Sequence, residues 1–92
     1  MGRMELHAGG IEADTLASQR LAGEVRAELA RQKRTATEAA ATIGVTPATM
    51  GRRLNGETPF NVIEIAALCR WLGVEPAVLM KRAERNAEAV AS

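Results

Sequence analysis

The sequence predicts an all-α fold, a bundle of five helices, and three observations carry that expectation. Apolar residues recur three and four positions apart along much of the chain, and no segment shows the strict alternation of a strand. Thr, Asn or Pro opens the successive apolar stretches, and Gly closes them. Only two residues are aromatic, Phe60 and Trp71, so the core must be built from Ala, Leu, Ile, Val and Met, as in a small helical bundle. At 92 residues with 47% hydrophobic composition, the chain suits one compact core and leaves little room for a second.

Residues 1–14 hold Gly2, Gly9 and Gly10 without sustained periodicity and read as a flexible N-terminal arm or a remnant of cloning. The main domain is expected over 15–80. Its first helix runs from about Thr15 to near Lys33, with Leu21, Val25 and Leu29 at successive four-residue spacing, Ala22 beside them, and Arg20, Glu24, Arg26 and Glu28 flanking. Thr35 then opens T-A-T-E, a capping box in which the Thr35 hydroxyl accepts from the Glu38 N–H and the Glu38 carboxylate from the Thr35 N–H. Gly44 ends this second helix, whose inward face is Ala39, Ala40 and Ile43. Thr46 caps the third helix, and Pro47 takes its first position, where a missing N–H costs nothing. That helix runs from Pro47 to Leu54 and stops at Asn55-Gly56.

Asn61 and Glu64 repeat the cap-and-box spacing at the start of the fourth helix, in which Val62, Ile65, Cys69 and Leu72 trace one stripe up to Gly73. Pro76 opens the fifth, with Val78 and Leu79 set to dock on the core. Residues 81–92, Ala-rich and charged, read as a C-terminal helical extension or a frayed tail. Trp71 is offset from the main stripe of its helix, so it either seals the core or meets another subunit.

Composition narrows the function. A lone Cys69 within an apolar pattern reads as a buried thiol in a reducing cytosol. No apolar run approaches the roughly 20 residues of a membrane span, and the N-terminus lacks a signal-peptide core, so a cytoplasmic protein without a membrane partner is expected. His7, the only histidine, has no companions for a metal site or acid–base pair. No paired catalytic groups, metal-ligand spacing or phosphate-cradling glycine loop appears, so no enzyme, cofactor, metal or small-molecule substrate is expected. The net charge of +1 points to no partner, but its distribution does. Between Arg31 and Gly56, five cations (Arg31, Lys33, Arg34, Arg52, Arg53) face one carboxylate, Glu38, for a segment net of +4. Such a cluster suits an anionic partner, although a solvated cationic face is the common alternative.

Two short helices joined by a tight glycine turn, with the small Ala40 where they cross, make a helix-turn-helix. The stretch TEAAATIGVTPATMGRRLNGETPF resembles the DNA-binding module of the Cro and lambda-repressor family, also called the Xre type, and the likeness extends from about Leu21 to Leu79. Ala40, Ile43, Gly44, Val45 and Met50 fit the family pattern in order. Arg53 departs from it, because the family usually buries an apolar side chain there. Met50 and Leu54 are i, i+4 neighbours, so Leu54 is expected to seal the core instead, leaving Arg53 turned toward solvent or a phosphate. Ala36 departs too, where many members carry a glutamine that braces the DNA backbone.

The resemblance implies a lambda-repressor-like bundle whose third helix enters the major groove of double-stranded DNA. By the same resemblance the base-facing positions are Pro47, Ala48, Gly51 and Arg52. Pro47 and Ala48 suit thymine methyls, Gly51 lets the backbone come close, and Arg52 is the strong base-edge donor, with phosphate contact or plain solvation as its alternatives. Thr46 and Asn55 fall near phosphates, Thr49 serves as a capping support or a backbone contact, and Thr35 opens a helix whose N–H groups suit phosphate. Lys33, Arg34 and Arg53 read as phosphate clamps, with solvation or a pair to Glu57 as the alternative for Arg53. The implied protein is a phage or bacterial transcriptional regulator, a Cro-like or short immunity repressor, acting as a homodimer through Trp71, Leu79, Ala83, Ala87 and Val90. The rival reading is an adaptor or antitoxin-like module that keeps the fold and binds protein rather than DNA.

Overall fold

In the computed structural model, helix bounds are given within residues 2–91 and side chains are described over residues 16–85. Five helices follow one another, α1 (Gly2–Arg31), α2 (Ala36–Ile43), α3 (Pro47–Leu54), α4 (Val62–Leu72) and α5 (Pro76–Ala91). No strand occurs among the described residues, and the all-α bundle expected from the sequence is the observed fold. The bounds of α1 start earlier than Thr15; the arm expected over 1–14, and Ala87 and Val90 of the expected interface, lie outside the described residues.

The caps form where the residue types place them. Thr35 and Glu38 make the reciprocal box at the start of α2, with the Thr35 N–H donating to Glu38 Oε1 at 2.7 Å and the Glu38 N–H to Thr35 Oγ1 at 3.1 Å. Asn61 and Glu64 do the same for α4, at 3.0 and 2.7 Å. Gly44 ends α2 with φ +75°, a left-handed conformation that glycine adopts without a Cβ penalty, and reverses the chain toward α3.

Val25, Leu29, Ala39, Ala40, Met50, Leu54, Ile65, Leu68, Cys69, Leu72 and Leu79 form one contiguous core, with Ile43, Val45, Phe60 and Trp71 packed at its edge. Leu54 is 7% exposed, as its spacing from Met50 requires. Cys69 is buried, and burial, assisted by the Glu75 charge, pushes its thiol pKa up. Gly56, with φ +78°, lies so close to α1 that a Cβ there would stand 2.9 Å from the Gln19 Cα, which fixes how tightly the α3–α4 loop meets the first helix.

Several expectations need correction. Val62 and Ile63 are 85% and 80% exposed, because Val62 is the first residue of α4 and the stripe that continues through Ile65 reaches the core only a turn later. Val78 is also exposed, whereas Leu79 docks fully. Leu79 and Ala83, expected at a subunit interface, are buried within the monomer, because α5 packs along α1. α5 continues past residue 80, where Arg82 pairs with Glu28 and Ala83 is buried. Glu24 and Glu28, which flank the apolar stripe in the sequence, are buried as well: α1 packs on both α3 and α5, so a wide arc of its surface is covered.

Candidate nucleic-acid interface

The third helix is anchored from three sides before any outward residue is considered. Met50 and Leu54 sink into the core from its inner face. From α1, the Arg26 guanidinium donates to the carbonyl of Leu54, one of the carbonyls left without a partner at a helix end. From α4, Glu64 Oε2 pairs with Arg53 Nη2 at 3.1 Å, while Glu64 Oε1 remains engaged in the α4 cap.

That ion pair changes the reading of Arg53. Its side chain is 17% exposed, and besides Glu64 it donates through Nη1 to the Pro59 carbonyl at 3.3 Å. Arg53 thus fastens α3 to the loop and to α4: Leu54 takes the core position, and the Arg53 side chain, expected to face solvent or a phosphate, lies partly buried along the bundle. Its partner is Glu64, not Glu57, which instead accepts from Asn55 Nδ2 at 3.4 Å. Arg53 Nε is buried without a hydrogen-bond partner.

The outward face of α3 carries the other expected residues together. Pro47, Ala48 and Arg52 are exposed, and Gly51 lies between them, partly exposed. An added Cβ at Gly51 would meet nothing within 4 Å. Nothing inside the protein therefore requires glycine at this site, although a glycine within a helix costs about 1 kcal/mol relative to alanine. Thr46 caps the helix by accepting from the Thr49 N–H at 3.1 Å, and its hydroxyl donates to Thr49 Oγ1 at 3.0 Å. Arg52 Nη2 makes a long contact, 3.5 Å, to the same Thr49 oxygen, so the hydroxyls form a short ladder leading to the arginine.

Lys33, Arg34 and Thr35 gather at the other end of the motif, where α1 hands over to α2. Lys33 is exposed and left-handed, with φ +55°, in the turn closed by the Arg34 N–H donating to the Leu29 carbonyl at 2.9 Å. Glycine or asparagine would relieve that conformation; lysine bears its cost. The Arg34 guanidinium lies over the Trp71 ring, 4.4 Å from its centroid. Beside them, the Thr35 backbone N–H, with smaller help from its hydroxyl and the Arg34 charge, holds the Glu38 carboxyl below the usual carboxylate range.

Among the described residues no group of His, Cys, Asp and Glu is arranged to hold a metal, and no helix is long and apolar enough to cross a membrane. Missed by sequence reasoning is the hub around Glu28. Its carboxylate accepts from Arg31 at 2.9 Å, from Gln32 Nε2 at 2.9 Å and from Arg82 Nη1 at 2.8 Å, and Arg31 also lies 3.7 Å from Glu24. The Gln32 bond, with the two arginines, draws the Glu28 pKa down against the opposing effect of burial.

Two solved structures of the clp gene regulator ClgR from Corynebacterium glutamicum align with this architecture. One gives a TM-score of 0.77 at 21% identity over 82% of this chain and 80% of that one; the other gives 0.71 at 21% identity over 76% and 91%. The likeness is one of fold. No protein-family model matches the sequence, and no curated protein matches it.

Proposed function

We propose that the chain is a sequence-specific double-stranded DNA-binding transcriptional regulator that inserts α3 into the major groove. One observation carries the reading: Pro47, Ala48 and Arg52 surround a glycine for which the fold has no use, on the outward face of the second helix of a helix-turn-helix. A missing Cβ there suits close approach of a base edge or sugar-phosphate backbone, and Arg52 supplies bidentate donors of the kind that read guanine. The fold shared with proteins described as clp gene regulators supports the assignment. Lys33, Arg34, Thr35, Thr46, Thr49 and Asn55 serve the phosphates on either side. A Cro-like or short immunity repressor of phage or bacterial origin is the finer form of this proposal, and it rests on the sequence resemblance.

A homodimer completes it, since one α3 reads few bases and two copies read two half-sites about one helical turn apart. The interface proposed here differs from the one expected from sequence. Leu79 and Ala83 are occupied inside the monomer, whereas Val62, Ile63, Val78 and Met80 leave apolar surface exposed. The same surface favours the rival reading, an adaptor or antitoxin-like module that grips another protein.

Enrichment from a random-sequence duplex pool at near-physiological salt, repeated at several salt concentrations, separates the two. A recovered palindrome with guanine at a repeated position is the expected result. Absence of enrichment, with weak binding that vanishes as salt rises, would transfer the assignment to the protein-binding module.

A further inference from the structure

We infer that Trp71 and Gln32 are positioning residues that hold Arg34 ready for a DNA phosphate, an inference that rests on the DNA-binding reading above. Arg34 is a cation of the cluster whose charged end is both held and available. Its Nε donates to Gln32 Oε1 at 3.1 Å and its guanidinium is stacked on Trp71, while its terminal nitrogens make no hydrogen bond or ion pair among the described residues. A long side chain normally loses rotamer freedom when it grips a phosphate; here most of that ordering is complete beforehand.

The support behind Arg34 is rigid because each member has one geometry left to it. Gln32 gives its amide N–H groups to Glu28 Oε2 at 2.9 Å and to the Leu72 carbonyl at 2.8 Å, which turns its Oε1 toward Arg34. Glu28 is fixed in turn by Arg82 of α5. The indole of Trp71, on α4, then presents its electron-rich face to the cation, an attraction that leaves the guanidinium edge free for a bidentate contact. Residues outside the helix-turn-helix thereby set the geometry of its phosphate contact. The Glu38 carboxylate lies near Arg34 without forming an ion pair with it, and its Oε1 accepts from the Thr35 N–H.

The test measures binding of the intact protein to random-sequence duplex DNA across a salt series, for wild type, Arg34→Ala, Trp71→Leu, Trp71→Phe, the Arg34→Ala/Trp71→Leu double variant and Arg52→Ala. Arg34→Ala is expected to reduce the slope of log affinity against log salt by about one. Trp71→Leu should weaken binding roughly threefold or more, Trp71→Phe should restore most of the loss because a phenyl ring still stacks, and the double variant should bind no worse than Arg34→Ala. Circular dichroism and melting of each variant confirm that it is folded at the temperature of measurement, and Trp71→Phe keeps the comparison available if Trp71→Leu unfolds. Losses that multiply in the double variant, or a salt slope unchanged by Arg34→Ala, overturn the inference. If that happens while Arg52→Ala still weakens binding, only the role of Arg34 falls; if wild type binds no duplex, the DNA-binding reading falls with it.

Discussion

At position 51 the helix and its proposed partner favour different side chains. Alanine at Gly51 fits the open space around it and should stabilise the free protein by roughly 0.5 to 1 kcal/mol, because the unfolded chain loses less freedom on folding. The same methyl should weaken binding to the enriched operator. Denaturant unfolding and operator titration of Gly51→Ala are thus expected to move in opposite directions, and tighter or unchanged binding would remove Gly51 from the interface. Glu28 predicts an acid dependence. Its pKa is lowered in the folded protein, so the unfolded chain takes up the proton first as pH falls. The stability this carboxylate contributes is present above the ordinary carboxylate value of about 4.3 and is lost as pH drops through its folded value. Glu28→Gln should therefore be less stable than wild type at pH 7 and show a flatter acid limb in urea unfolding; Glu38, also lowered, leaves a residual slope of the same sign. An equally steep limb would show that Glu28 does not carry the effect.

Among the elements, α3 depends on anchors that differ in how readily sequence discloses them. The caps at Thr35, Thr46 and Asn61 were legible because each needs only residues within three positions of itself. Arg53 was not, since its partner lies 11 residues on, and spacing marks Glu64 as a capping residue without saying that its second oxygen remains available. Its inward engagement yields a contrast with Lys33, Arg34 and Arg52. Arg53→Ala should destabilise the fold by roughly 1 to 3 kcal/mol, by leaving the Glu64 carboxylate short of a partner, yet leave the salt slope of DNA binding unchanged where the fold persists. A slope reduced by about one would return Arg53 to the phosphate contacts.

For the whole molecule, the arrangement of helices decides which surfaces remain for partners, and this is where sequence periodicity says least. The outward placement of Pro47, Ala48 and Arg52 on α3 was readable because local turns orient that helix relative to α2. The burial of Glu24 and Glu28 depends instead on where α5 returns, and α5 leaves few apolar marks beyond Leu79 and Ala83. The exposed Val62 and Ile63 likewise belong to a stripe whose inner part is core, so spacing alone groups them with Ile65. If that surface joins two copies, Ile63→Asp should shift sedimentation toward monomer and weaken operator binding while leaving the melting temperature of the monomer nearly unchanged, as expected for a side chain 80% exposed. A dimer that persists in Ile63→Asp would place the contact elsewhere.

The bond between Arg82 and Glu28 joins positions 54 residues apart, and it has a bearing on biosynthesis. The capped helices α2 and α3 can begin to form as they leave the ribosome, but the carboxylates of α1 lack their last counter-charge until α5 emerges. A nascent chain stalled before Arg82 would hold α2 and α3 without the clasp that closes the bundle, so the bundle is completed late in translation.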